Sequence, residues 1–310
     1  MTNFLSVVWD INPILFKIGP VAIRWYSLLF VSGFPIGCWM ISKFYKHEGV
    51  DPAKIEPLLY AMLIGVIVGA RLGHCWFYQP DYFLAPFVAM FGGKVDPHIA
   101  AHGMTNWQAF WETFMPWKGG LASHGGAIGI LLGLWWYTHK YGKANHFDML
   151  WIIDRLVICV CFAGALIRFG NLFNSEIYGN ETSLPWGFIF ARNGETVPKH
   201  PTQIYEALSY ILLGIFLQVM YWKRLDKLYR GWIFGVFLIG CFGMRILIEF
   251  IKQPQVEFEK GMALNMGQLL SIPFVLAGIF FIVRAYIKKT PARVVVPEHT
   301  NYCPPKKQRS

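Results

Sequence analysis

Arg168-Phe169-Gly170-Asn171-Leu172-Phe173-Asn174-Ser175-Glu176-Ile177-Tyr178-Gly179 closes an apolar run that begins at Met149. The run is long enough to cross a bilayer, which takes roughly 20 apolar residues in a helix. A charge at membrane depth costs about 2.5–3.5 kcal/mol on insertion scales, so Arg168 is first read as functional. Asn171, Asn174 and Glu176 follow it within a few residues. An arginine at the end of a span, with amides and a carboxylate beside it, reads as the rim of an anion-binding site.

Working outward, the same pattern of long apolar segments fills most of the 310-residue chain, which is 55% hydrophobic and only 15% charged. This composition marks an integral membrane protein rather than a soluble domain. Seven segments reach spanning length: Arg24–Ser42, Glu56–Tyr78, Leu121–Thr138, Met149–Gly170, Ile204–Trp222, Gly231–Ile251 and Met266–Tyr286. The expected fold is therefore all-α with seven transmembrane helices. Gly65, Gly69 and Gly73, and the Gly125–Gly129 stretch, suit close helix packing. Trp25, Trp76, Trp117, Trp222 and Trp232 stand near segment ends, as interfacial aromatic residues do.

The net charge of +10 does not indicate a nucleic-acid partner, because much of it lies in short loops and the tail. Lys43–Lys54, His139–His146, Lys223–Arg230 and the stretch from Lys288 are basic, which places the N-terminus outside and the C-terminus in the cytoplasm. These charges would also attract anionic membrane lipids. Met1–Asp10 lacks the features of a cleavable signal, so the first span is expected to direct insertion. Residues 1–290 read as one polytopic membrane domain, with external caps at 79–120 and 171–203. A short strand pair turning at Asn193-Gly194 is expected in the second cap. Residues 291–310 read as a basic, disordered cytoplasmic tail. The six cysteines have no framework spacing, and most read as buried and inert.

With this orientation, polar residues from different spans gather near the outer headgroup level: Tyr26, Arg71, His124, Arg168, Gln203, Arg245, Glu249 and Gln268. Simpler readings stand beside these. Tyr26 also fits an interfacial belt, Arg71 helix packing, His124 a bond to a backbone carbonyl, and Arg245 with Glu249 an ion pair four residues apart on one helix. Asp154-Arg155, near the inner end of the fourth span, reads as a local ion pair or as snorkelling. Arginines at headgroup depth suit a lipid phosphate. His124 is the histidine placed to act as a base near neutral pH, and Gly125-Gly126 leave room for close approach. No Gly-x-Ser-x-Gly or His-Glu-x-x-His pattern supplies a protein nucleophile or a metal site, so the nucleophile is expected on a second substrate. A transporter of phosphorylated solutes and a non-catalytic lipid-binding protein remain as rivals. The one-sided clustering of polar residues disfavours the first, and tolerance to loss of His124 would mark the second.

The residues around Arg168 resemble the signature of the bacterial prolipoprotein diacylglyceryl transferases. So do, in chain order, Arg24-Trp25-Tyr26, Ala70-Arg71-Leu72-Gly73, Gly119-Gly120-Leu121-Ala122-Ser123-His124-Gly125-Gly126, His200-Pro201-Thr202-Gln203-Ile204-Tyr205-Glu206, Arg245–Phe250 and Met266–Pro273. The chain departs from the family pattern at Ile167, where glycine is usual, at Leu172, where phenylalanine is usual, and at Cys241, where tyrosine is expected. The resemblance implies a bacterial inner-membrane enzyme with its site toward the outer leaflet. It implies transfer of the sn-1,2-diacylglyceryl group from phosphatidylglycerol to the lipobox cysteine of a prolipoprotein. A thioether forms and glycerol 1-phosphate leaves, in the first step of lipoprotein maturation. His124, Arg168 and Arg245 carry over as catalytic residues. Tyr26, Gly125, Gly126, Arg168, Asn171, Asn174, Glu176, Gly179 and Glu249 carry over as phospholipid-binding, and Arg71, Gln203, Tyr205 and Gln268 as supporting. The chemistry calls for no metal or organic cofactor.

Overall fold

A computed structural model describes residues 6–19, 21–91, 94, 97–115, 122–253 and 264–294. The Gly119–Leu121 stretch of the resemblance, Trp117, Cys303 and the tail beyond Val294 lie outside the described residues. The described residues form ten α-helices: α1 (Trp25–Glu48), α2 (Ile55–Tyr78), α3 (Pro80–Met90), α4 (Pro97–Ala101), α5 (Asn106–Thr113), α6 (Ser123–Tyr141), α7 (Met149–Phe173), α8 (Thr202–Arg224), α9 (Trp232–Glu249) and α10 (Met266–Lys288). All seven expected spans are thus helical. Among the described residues, six helices are long and apolar enough to cross a membrane; α6 is not one of them, its hydropathy diluted by glycines and by polar residues at both ends. The chain is an all-α, multi-pass integral membrane protein.

The chain divides into two compact units. In the unit of residues 50–149, α2 and α6 lie backbone to backbone. A Cβ on Gly73 would come within 2.7 Å of the Gly125 backbone, and one on Gly125 within 2.8 Å of Gly73. Small residues permit such an approach in lipid, where burial of apolar surface gives no drive and van der Waals contact must supply the association. Beside this pair, Tyr82 of α3, Ile99 of α4 and Ala109 of α5 form a small buried cluster with Ala85. Thr105 and Gln108 close a capping box at the start of α5.

The other unit carries α1, α7, α8, α9 and α10 with four short strands. Here α7 is the most buried helix: 61% of its most apolar window is buried, against 17% for α1 and α10. The N-terminal strand β1 (Val7–Trp9) pairs in parallel with β4 (Phe188–Phe190), while β2 (Ile14–Ile18) and β3 (Val21–Arg24) form an antiparallel hairpin. The pairing expected around Asn193-Gly194 forms as a single antiparallel bridge, in which Phe188 and Lys199 exchange backbone hydrogen bonds at 2.9 and 2.8 Å. Gly194 adopts φ 74° after a single 3-10 turn, and β4 takes the N-terminal segment as a second, longer partner. Trp9 fixes that segment to the end of α7, donating Nε1 to the Leu172 carbonyl at 2.9 Å and packing against Phe173.

The N-terminal end of α7 is organised by buried charge. Arg155 is fully buried and does not snorkel. Its Nη2 reaches both Glu48 carboxylate oxygens at 2.7 Å, and its Nε donates to Oε1 at 2.9 Å. Trp151 Nε1 and the Tyr221 hydroxyl donate to the same carboxylate. Pro291–Val294 is drawn in as well: Arg155 Nη2 donates to the Ala292 carbonyl, and the Val294 amide donates to Glu48. Asp154 turns the other way and accepts from the Gly231 and Phe234 amides at 2.7 and 2.8 Å, capping α9 from a neighbouring helix.

Breaking a buried pair from one side leaves an uncompensated charge, which costs about 3–5 kcal/mol, whereas replacing both partners removes that penalty. Arg155→Met is expected to lower the thermal unfolding midpoint in detergent markedly, and Glu48→Gln combined with Arg155→Met to recover part of the loss. A double variant less stable than Arg155→Met would contradict this account.

Candidate active site

The residues at the C-terminal end of α7 are held by a string of alternating charges. Arg168 Nε lies 2.8 Å from Glu206 Oε2 on α8, with Glu206 almost fully buried. The other oxygen of Glu206 accepts from Lys252 Nζ at 2.9 Å, and Lys252 in turn donates to Glu249 Oε2 at 3.2 Å. Lys252 follows α9 directly, so the string joins α7, α8 and α9. Gly267, in the first turn of α10, closes on its far end: a Cβ there would sit 2.6 Å from the Glu249 carboxylate. Buried charges in membrane helices are tolerated when they are paired, and each of these four is.

Arg168 also donates Nη1 to Asn171 Oδ1 at 3.2 Å. The Asn171 and Asn174 amides both donate to Glu176 Oε1, at 2.8 and 3.1 Å. This fold-back after the helix demands unusual backbone: Ser175 and Ile177 have φ of 54° and 62°. Positive φ in a β-branched residue such as Ile177 is costly and persists only where surroundings over-determine it. Gln203 Nε2 holds the Glu176 carbonyl at 2.7 Å, and Thr202 holds that of Ile177 at 2.9 Å. Gly179 pairs with His200, whose Cβ leaves only 2.7 Å for a side chain at 179. Further along the connection between α7 and α8, burial would lower the Lys199 pKa, but bonds to Glu195 and Glu181 outweigh it and hold the ammonium charged.

Arg245 differs from the other cations. Its Nε is buried with no hydrogen-bond partner, and no carboxylate pairs with it among the described residues. It does not form the ion pair with Glu249 that their spacing allows, because Glu249 is turned to Lys252. Tyr210 of α8 is buried in a cluster with Ala165 and Ala207, and Cys241 of α9 packs against it. One guanidinium held by a carboxylate and another whose Nε has no partner are both suited to gripping an anion.

A family profile described as prolipoprotein diacylglyceryl transferase matches residues 13–284. The chain belongs to this family. A phosphatidylglycerol--prolipoprotein diacylglyceryl transferase of Porphyromonas gingivalis is 44% identical over 299 residues, covering 92% of this chain and 96% of that protein. One of Chloroherpeton thalassium is 39% identical over 276 residues, covering 89% and 93%. One of Tolumonas auensis is 40% identical over 271 residues, covering 87% and 94%.

In this transferase, Arg168, Arg245, Asn171, Asn174, Glu176, Gly179, Gln203 and Glu249 occur together in one unit, as does Tyr26, which packs on Gly170, two residues after Arg168. Gln268 lies nearby but serves its own helix: it forms a capping box with Asn265 and donates Nε2 to the Ile246 carbonyl. Tyr205 faces the connection between α7 and α8, accepting from Trp186 Nε1 at 2.9 Å. His124, Gly125, Gly126 and Arg71 belong to the other unit. His124 is exposed in the first turn of α6. Gly125 and Gly126 face α2 rather than open space, so they serve helix packing. Arg71 donates Nη2 to the Glu112 carbonyl at 2.6 Å, tying the end of α5 to α2. Sequence reasoning missed Glu206, Lys252 and Tyr210 as members of the site. The signal for Glu206 was a carboxylate in an apolar helix, and for Lys252 its place three residues after Glu249. For Tyr210 nothing in the sequence marks the position. Its hydroxyl, coming from α8, occupies the neighbourhood where the Cys241 departure removes the expected tyrosine.

Gly267→Ala is expected to displace Glu249 and disturb the charge string without unfolding the helices. Small misplacements of positioning groups cost up to about 10²-fold in rate. Transfer activity should fall by at least about tenfold, with the circular dichroism spectrum unchanged. Undiminished activity would show that Glu249 does not need its present position.

Proposed function

We propose that this transferase moves the sn-1,2-diacylglyceryl group of phosphatidylglycerol onto the lipobox cysteine of prolipoproteins, and that Arg168 and Arg245 form the phosphate clamp. The observation that carries the reading is the unsatisfied guanidinium of Arg245 beside an Arg168 already held by Glu206. A lipid phosphodiester supplies the missing partner, and the charge it gains as it leaves is stabilised by both arginines. The orphaned Asn174 Oδ1 is placed to accept from a headgroup hydroxyl, while Asn171 and Glu176 hold Arg168 and the fold-back in position. Tyr26 supports the same end of α7, and Glu249 positions Lys252 rather than Arg245.

His124 enters through the resemblance and its exposure at the start of α6. In the proposed reaction it takes the proton of the substrate thiol. The sulfur then bonds to the terminal glycerol carbon of the diacylglyceryl group, the carbon–oxygen bond to phosphate breaks, and its electron pair leaves with glycerol 1-phosphate. A free thiol has a pKa near ~8.5, so a base is useful at neutral pH.

The site is assigned to the outer leaflet of the bacterial inner membrane, with the N-terminus outside and the C-terminus cytoplasmic. Two features support this. The basic stretches Lys43–Lys54, His139–His146 and Lys223–Arg230 alternate along the chain with the connections that carry the site. A lipobox cysteine also becomes accessible just beyond its signal helix. Residues 1–290 then constitute the catalytic membrane domain, and 291–310 a cytoplasmic tail whose first residues, Pro291–Val294, dock against Glu48 and Arg155.

Mass spectrometry of a lipobox peptide incubated with the purified protein and phosphatidylglycerol tests the reading. The peptide should gain one diacylglyceryl group. Arg168→Ala and Arg245→Gln should each reduce this by at least about 10²-fold, the scale on which loss of a charge-stabilising donor is felt. Full activity in either removes that arginine from the clamp. His124→Asn is read from a pH profile: the variant should lose the rise in rate seen between about pH 6 and 9. A profile matching the parent enzyme assigns the base elsewhere.

A further inference from the structure

The helices between α2 and α6 carry an aromatic face that neither the reaction nor the packing of their unit uses. On α5, Trp107, Trp111 and Phe114 recur at helical spacing and are 56%, 59% and 47% exposed. The opposite side of the helix buries Ala109 completely. The exposed side is thus not core turned outward by loose packing. The helix is capped at its start by Thr105 and held at its end by Arg71, so its orientation on α2 is fixed.

These rings do not stand alone. Trp76, in the last turn of α2, lies 5.4 Å from Phe83 of α3, and Phe83 lies 6.3 Å from Phe110 of α5. Phe110 touches Trp107, Trp111 and Phe114 with centroids 5.2–6.3 Å away. A connected set of rings therefore runs from the end of a membrane-spanning helix onto α5. Trp76, Phe77 and Tyr78 are themselves 60–68% exposed. Because α2 spans the bilayer and ends at Tyr78, and α3 starts at Pro80, this end of α2 lies at headgroup depth. Along the same face, an apolar groove of about 730 Å³, lined by Leu72, Trp76, Phe83, Leu132 and Trp136, continues the surface down α2 and α6.

We propose that the α3–α5 segment is a membrane-interface anchor, with Trp107, Trp111 and Phe114 seated in the lipid headgroup layer at the α2 C-terminal end. Tryptophan prefers this layer because its ring is apolar and its N–H is polar. A helix presenting such a face lies in the plane of the interface. Lipid is the occupant because the patch is continuous with a surface that lipid already covers. The anchor holds the chain between α2 and α6 against the bilayer, and His124 lies in the first turn of α6.

The test uses the full-length protein in vesicles of phosphatidylethanolamine and phosphatidylglycerol. A benzophenone-bearing phenylalanine replaces Trp107, Trp111 or, as a reference on the span itself, Trp76, so that an aromatic side chain is kept each time. After irradiation the purified chain is weighed. Covalent phospholipid adducts at positions 107 and 111 are expected, as at 76. Absence of lipid adducts at 107 and 111, whatever position 76 gives, overturns the proposal. So does a chain-to-chain crosslink as the sole product at those positions, which would make the face a contact between copies.

Discussion

A carboxylate buried between membrane helices has to be met by cations, and Glu206 is met by two. Arg168 comes from α7 and Lys252 from beyond α9, so the single negative charge on α8 fixes where both neighbouring elements end. Lys252 is then shared with Glu249, against which the backbone of Gly267 on α10 is packed. Two anions and two cations balance within this string. Arg245 stands outside this balance, its Nε buried without a hydrogen-bond partner, and the proposed phosphate clamp rests on that surplus of positive charge. The four helix ends are located by one electrostatic sequence rather than by apolar contact, which in lipid discriminates poorly between neighbouring registers.

The second unit is built on a different constraint. Between α2 and α6 there is backbone rather than side chain, and the helices can approach because glycines face each other at every turn. That packing explains why Gly125 and Gly126 stand next to His124 without needing to contact a ligand. It also places the ends of α2 and α6 close together, so the intervening residues return as a compact set of short helices. Arg71, a charge in α2, is used to stop α5 by meeting the Glu112 carbonyl at its C-terminal end, where the helix dipole is negative.

Much of this was legible in the sequence, and the exceptions have physical reasons. Each span showed because the apolar run needed to cross a bilayer is long and uninterrupted, and the Arg168–Gly179 cluster showed because charge in such a run is rare. What periodicity could not give was the partner of each charge. Arg245 and Glu249 are spaced for an ion pair, but the competing ammonium of Lys252 is three residues away from Glu249 and is itself anchored by Glu206, a residue far away in sequence. Arg155 looked like a side chain able to reach water, yet its partner Glu48 lies 107 positions earlier. In both cases a long-range contact overrode a reasonable local preference. The turn at Asn193-Gly194 does bring Lys199 back to Phe188 in one antiparallel bridge, and what the sequence could not show is the strand from the N-terminus that pairs with the other edge of β4.

The two ends of α7 show what distinguishes a structural charge cluster from a site. At the N-terminal end, Arg155 and Glu48 are closed off: the carboxylate is approached by guanidinium, indole, phenol and amide donors, and Asp154 is consumed in capping α9. At the C-terminal end, the side-chain oxygens of Asn174, Ser175 and Gln203 and the Nε of Arg245 are buried without partners. Each such group costs free energy in a dry environment, so their concentration within one region is not neutral. The same helix thus ends once in a fully satisfied network, which can only hold, and once in an incomplete one, which can bind. Polar ligand atoms that completed the second network would recover that cost. The positive φ values of Ser175 and Ile177 fall within the same incomplete region, a backbone strain that only its surroundings can hold.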